Sequence, residues 1–110
     1  MKLPNGDRAV VDIEKLRDYC LSMEHPRGRH KARVFASALG MSSQDADGLR
    51  GALLTAAASE QASPVETDDF GQRFVVDFDM IRPRGQARVR SAWIVRNGED
   101  FPRLTSCFVL

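Results

Sequence analysis

The stretch Phe74-Val75-Val76-Asp77-Phe78-Asp79-Met80-Ile81 leads through Arg82-Pro83-Arg84-Gly85 into Ala87-Arg88-Val89-Arg90-Ser91-Ala92-Trp93-Ile94-Val95-Arg96, and its reading decides the fold class. Side chains alternate with period two, which is the spacing of a pleated strand with one face buried. Phe74, Val76 and Phe78 on the first run, with Val89 and Trp93 on the second, make the face expected to pack on helices. The Pro- and Gly-bearing quartet between the runs reads as a turn, so the two strands pair antiparallel. The opposite face carries Asp77, Asp79, Arg88, Arg90 and Arg96 and is open to solvent or to a partner. Cross-strand Asp–Arg pairs account for those charges at about 0–1 kcal/mol each, so they assign no role by themselves.

Working outward, Asn97-Gly98 signals a further hairpin, and a last strand passes through Leu104, Ser106 and Phe108. Asp68-Asp69-Phe70-Gly71 is a turn after a shorter strand around Val65–Thr67. The strands are thus expected near residues 63–68, 72–82, 86–96 and 102–109. The first half of the chain changes to helical period. Asp12 caps a helix from Ile13 to about Cys20, with Ile13, Leu16 and Cys20 on one face. A second helix runs from about His30 to Leu39, with Ala32, Phe35, Ala38 and Leu39 as its stripe and Gly40 as its stop. Ser42 with Asp45 forms a capping box for a third, whose stripe is Ala46, Leu49, Leu53 and Ala57. The expectation is a single α+β domain over residues 1–110, three N-terminal helices followed by an antiparallel sheet of three or four strands.

Composition excludes several classes. At 110 residues, 43% hydrophobic and 28% charged, the chain has room for one core and is neither disordered nor membrane-spanning in character. The N-terminus has no apolar signal core, which leads us to expect a cytoplasmic protein. Net charge is +1, so a uniformly basic nucleic-acid coat is excluded while a local basic patch is not. Cys20 and Cys107 lie far apart, and with His25 and His30 they have no zinc-ligand spacing; they read as buried reduced thiols. No metal or other cofactor is expected. Thirteen arginines against three lysines favour bidentate contacts with phosphate or carboxylate, although a GC-rich genome gives the same bias.

The chemistry concentrates in His25-Pro26-Arg27-Gly28-Arg29-His30-Lys31-Ala32-Arg33, which holds both histidines and no acidic residue. Metal-free RNA cleavage needs a base for the ribose 2′-hydroxyl, an acid for the leaving 5′ oxygen and a cation for the phosphorane-like transition state. Histidine titrates near neutrality and serves as either base or acid. Lys31 or Arg27 supplies the cation, and the start of a helix adds an anion-favouring dipole. The same residues allow plainer readings. His25-Pro26 makes a turn with a structural imidazole, His30 packs as a helix-start residue, and the basic run is a solvated face or a docking surface for an acidic protein.

Lys2-Leu3-Pro4-Asn5, Lys15-Leu16-Arg17-Asp18-Tyr19 and His25 through Phe35 resemble a bacterial domain of unknown function that occurs alone and at the C-termini of polymorphic toxins. Ser91-Ala92-Trp93-Ile94 and Pro102-Arg103-Leu104-Thr105 are similar to its C-terminal signature. The resemblance implies a toxin-type module with a small antitoxin or immunity protein as partner. The order of helices then antiparallel sheet is similar, at the level of fold, to barnase, EndoU, colicin and RelE-type ribonuclease toxins. In that group a helix-side His or Lys acts with Arg, Ser or Thr from the sheet. The analogy implies His25, His30, Lys31, Arg90 and Thr105 as catalytic candidates, with Arg27, Arg29, Arg33 and Arg88 binding the substrate. The departure is that both histidines lie on one segment.

Three functions are therefore in view: a metal-independent endoribonuclease toxin acting on RNA, a non-catalytic module docking an acidic protein or a nucleic-acid backbone, and a structural subunit with an apolar interface at Phe108-Val109-Leu110. The first expects His25, His30, Arg88 and Arg90 in one concavity. A chain that begins at its own Met1 fits a toxin–antitoxin pair better than a delivered effector.

Overall fold

A computed structural model describes all 110 residues. The half with helical period forms three helices. The first, α1, begins as a single α-turn at Ile13–Lys15 and continues as a wide π turn at Leu16–Cys20. The others are α2 (Arg29–Leu39) and α3 (Ala46–Ser59). The half with period two forms β1 (Ala62–Asp68), β2 (Gly71–Arg82), β3 (Gly85–Arg96) and β4 (Arg103–Val109). These make one antiparallel sheet in the order β1-β2-β3-β4. The domain is α+β, with three helices and four strands.

The helices are not confined to the N-terminal end. α3 reaches Ser59, past the middle of the chain, and the first residues are largely extended. Lys2 bridges to Gln61 and Val10 to Arg103, so the leading segment satisfies its backbone at the two ends of the sheet. Helix boundaries follow local chemistry. Asp12 accepts from the Glu14 amide and starts α1. Ser42 and Asp45 make the reciprocal capping box that leads into α3. Gly40, at φ 64°, ends α2 in a left-handed conformation that lets Met41 N–H reach back to the Phe35 carbonyl. Arg82 then donates to the Leu39 carbonyl at 3.1 Å and pairs with Asp45 at 3.4 Å, which locks the α2–α3 corner onto the end of β2.

The sheet buries the face its alternation specifies. Phe74, Val76, Phe78, Met80, Val89 and Trp93 are buried with Leu16, Phe35, Leu39, Leu49 and Leu53 from the helices. Trp93 carries a polar atom into this core. Its Nε1–H donates to Ser91 Oγ at 2.8 Å, and the Ser91 hydroxyl donates to the Val76 carbonyl at 2.7 Å. No buried side-chain nitrogen or oxygen is left without a partner. On the outer face Asp77 opposes Arg90 and Asp79 opposes Arg88, each pair directly bonded.

Two connections differ from the simplest reading. Asn97-Gly98 opens a longer loop, 97–102, because the Asn97 amide bonds the Asp69 carbonyl and the Asp100 carbonyl accepts from Asn5. In β4, Trp93 faces Leu104 while Ala92 faces Ser106, which leaves Thr105 as the extra residue of a bulge.

Two substitutions test these supports. Ser91→Ala leaves the buried Trp93 N–H unpaired and should cost about 1–3 kcal/mol in urea unfolding. Asp45→Ala removes half of the capping box and should cost about 1 kcal/mol at neutral pH. The Ser42 amide, with Arg82, holds the Asp45 carboxyl below its ordinary range. Its contribution is therefore present above the unfolded carboxyl range and lost as pH falls through the lowered folded value, so the gap between wild type and variant should close in acid.

Candidate functional site

The basic segment enters α2 through a turn that His25 builds. Its Nδ1 accepts from the amides of Arg27 and Gly28, both at 3.0 Å, as a short Asx side chain would. The ring is therefore the tautomer protonated on Nε2, with its Nδ1 lone pair committed. It stands edge-on to Tyr19, with centroids 4.7 Å apart and planes at 69°. Gly28 lies against the Tyr19 carbonyl so closely that a Cβ would collide with it. Only glycine lets α2 begin against the π turn, and this contact fixes where the basic residues emerge.

Lys31 leaves the first turn of α2 and reaches β4. Its Nζ donates to Ser106 Oγ at 2.7 Å and lies 5.2 Å from the Tyr19 ring centroid and 5.6 Å from that of Phe108. An ammonium between two aromatic rings is held by their quadrupoles as well as by the hydroxyl. Beneath it are Cys20 and Cys107, buried and reduced. The hydrogen bond between the two thiols lowers Cys20, with Ser106 and Lys31 adding to the effect; the same bond and burial raise Cys107. No group of three or more His, Cys, Asp or Glu side chains gathers in a way that could hold a metal.

The remaining cations of the segment are unpaired. Arg27, Arg29, His30 and Arg33 are exposed, and α2 has no acidic residue in its first turn. By contrast Arg8, Arg17, Arg73, Arg82, Arg88, Arg90 and Arg103 all form ion pairs. Cations near a helix N-terminus oppose its dipole at about 0.3–1 kcal/mol each, so this end of α2 is electrostatically unfavourable without an anion.

The nine sequence candidates fall into separate places. His25, Lys31, Arg27, Arg29, His30 and Arg33 belong to the α2 end. Arg88 and Arg90 line a different groove of about 480 Å³ on the outer face of the sheet, with Glu60, Gln61, Ser63, Val65, Val75 and Asp77. Arg90 holds Asp77 through two bonds of 2.8 and 2.9 Å, and Arg88 holds Asp79 at 3.0 Å. The single concavity expected for His25, His30, Arg88 and Arg90 is not formed: the carboxylates of β2 keep both guanidinium groups on the sheet. Thr105 donates to the Ala92 carbonyl at 3.1 Å and closes the bulge; Ser106, one residue on, meets Lys31 instead. Residue chemistry connected neither Tyr19 nor Ser106 with Lys31, and it read Phe108 as a strand residue at an apolar edge. Their only signal was that β4 ends close to the start of α2, a tertiary fact.

His25 thus has a testable structural load. His25→Asn, whose amide oxygen can accept from the same two amides, should retain more stability than His25→Ala, and the alanine variant should lose about 1 kcal/mol in urea unfolding.

Residues 2–110 match the family described as "Domain of unknown function (DUF6883)". No curated protein and no solved structure matches the chain. The protein is a member of the DUF6883 family, and the match takes in all of the elements described above.

Proposed function

We propose that the domain acts on RNA as a toxin-type, metal-independent endoribonuclease, with the N-terminal end of α2 as its phosphate-binding surface. The observation that carries this reading is the set of exposed, unpaired guanidinium groups of Arg27, Arg29 and Arg33, with the exposed His30 ring among them, on a helix end that lacks any acid. Arginine suits phosphate because its planar fork makes two parallel bonds. His30 is the histidine with an exposed ring, whereas His25 has committed Nδ1 to the turn. In this mechanism His30 takes the ribose 2′-hydroxyl proton and the 2′ oxygen attacks phosphorus. The bond from phosphorus to the 5′ oxygen breaks, and that oxygen leaves with a proton from the Lys31 ammonium. The products are a 2′,3′-cyclic phosphate and a 5′-hydroxyl, and solvent restores both side chains. The reading extends to action in the cytoplasm and to a small antitoxin or immunity partner that covers the basic end.

A second reading, docking on a nucleic-acid backbone or an acidic protein without chemistry, is favoured by a specific observation. The two histidines do not meet in one cleft, and Arg88 and Arg90 stay with Asp79 and Asp77. Both readings need the same anionic ligand and differ at His30.

The test is expression of wild type, His30→Ala and Arg27→Gln/Arg29→Gln/Arg33→Gln in bacteria at matched soluble protein, following growth and total RNA. For the ribonuclease, wild type should arrest growth and leave discrete RNA fragments, and His30→Ala should lower cleavage about 10²–10⁴-fold while still binding RNA. The triple variant should lose binding and shallow the salt dependence of what remains. Intact RNA with salt-sensitive binding would support the docking reading. No binding of RNA by wild type would overturn the ribonuclease.

A further inference from the structure

The two residues given the proton transfers, His30 and Lys31, also line a shallow, mostly apolar pocket whose apolar walls have no part in phosphate binding. It has a volume of about 280 Å³ and is lined by His30, Lys31, Val34, Phe108 and Val109. Val34 is 43% exposed although it sits on the helix that supplies the core residues Phe35 and Leu39. Positions 30 and 34 are one turn apart, so His30 and Val34 form a single wall from α2, and Phe108 and Val109 form the other from the end of β4. Lys31 Nζ holds the Phe108 ring from 5.6 Å while its stem crosses the pocket lining.

We propose that this pocket seats one unstacked nucleobase of a single-stranded RNA, lying on Phe108 between the two walls, with the phosphates on either side held by Arg29 and Arg33. The proposal rests on RNA being the ligand and adds that the base, not only the backbone, is bound. The charge around the pocket selects this occupant. An apolar seat rimmed by cations fits a flat aromatic ring that carries anions on both flanks. A second copy of the chain related by a two-fold axis would set Arg29, His30 and Arg33 against themselves. A base paired in a duplex has no free face to offer Phe108. The seat has no directed set of buried polar donors or acceptors, so it takes any base, and its discrimination is between single strand and duplex.

Short oligonucleotides carrying 2′-O-methyl groups serve as probes, because they present no 2′-hydroxyl to attack and binding is read apart from cleavage. One has bases throughout, one is its abasic counterpart of equal length and charge, and one is the duplex; each is measured by fluorescence anisotropy at one salt concentration. Wild type should bind the based single strand roughly 5- to 100-fold tighter than the abasic strand. Phe108→Leu, which keeps an apolar side chain on β4, should bring the two affinities together by weakening binding of the based strand. Equal affinity of wild type for based and abasic strands would overturn the base seat while leaving backbone binding intact. Binding of neither strand would overturn both. Tighter binding of duplex than of single strand would also overturn the seat. The wild-type comparison of the two strands decides the matter even if Phe108→Leu fails to fold.

Discussion

A tryptophan can sit in the middle of this small core only because Ser91 lies two residues away on the same face of β3. The Trp93 N–H is buried, and without a partner it would cost about 1–3 kcal/mol, a large part of the stability of a domain of this size. Ser91 Oγ accepts from that N–H and its own hydroxyl donates to the Val76 carbonyl, so the pair of hydrogen bonds also ties β2 to β3 across the ladder. With the indole satisfied, the inner face of the sheet is a continuous apolar surface, and the three helices bury their stripes on it. The placement of α2 follows. Its core residues Ala32, Phe35 and Leu39 face the sheet, which leaves Arg29, His30 and Arg33 on the other side.

The two ends of α2 show opposite electrostatic treatments. At the C-terminal end Arg82 donates to a terminal carbonyl and meets Asp45, so charge and dipole agree. At the N-terminal end three unpaired arginines stand near the positive pole, and the His25 Nδ1, not a carboxylate, accepts the leading amides. Elsewhere seven of the ten other arginines pair with acids, on exposed loops as well as on the sheet. The α2 end thus gathers three unpaired arginines where most arginines of the chain are paired, and an anionic ligand is the physical condition under which that arrangement becomes favourable.

Much of the fold could be read directly. The alternation from Phe74 to Arg96 gave strands, faces and antiparallel pairing together, and the structure supplied the register that sets Asp77 opposite Arg90 and Asp79 opposite Arg88. The Ser42–Asp45 box and Gly40 marked helix boundaries because caps are local chemistry. The π turn at Leu16–Cys20 was read as ordinary helix, since its apolar spacing also suits a 3.6 period. The bulge at Thr105 was invisible because one extra residue changes the face of every side chain beyond it without changing composition. Thr105 was named by the fold-level analogy, whereas Ser106 is the hydroxyl that Lys31 meets. The basic segment was legible as a charge pattern, but the role of His25 was not: accepting two backbone amides leaves no mark distinguishable from a titrating imidazole.

The sequence by itself determined the α+β class, the inner face of the sheet and the location of an unneutralised basic segment, because each is written in residue spacing over a few turns or strand residues. Tertiary structure alone decided which of those charges remain free. Arg88 and Arg90 were removed from the set by carboxylates on the neighbouring strand, whereas Lys31 kept its charge and was positioned by Ser106 and two aromatic rings brought from α1 and β4. Arg27, Arg29, His30 and Arg33 kept their charge exposed because Gly28, pressed on the Tyr19 carbonyl, starts α2 at a place that no acidic side chain reaches. A short-range pattern can specify a charge, but whether it is neutralised depends on residues distant in the chain, and only folding brings those together.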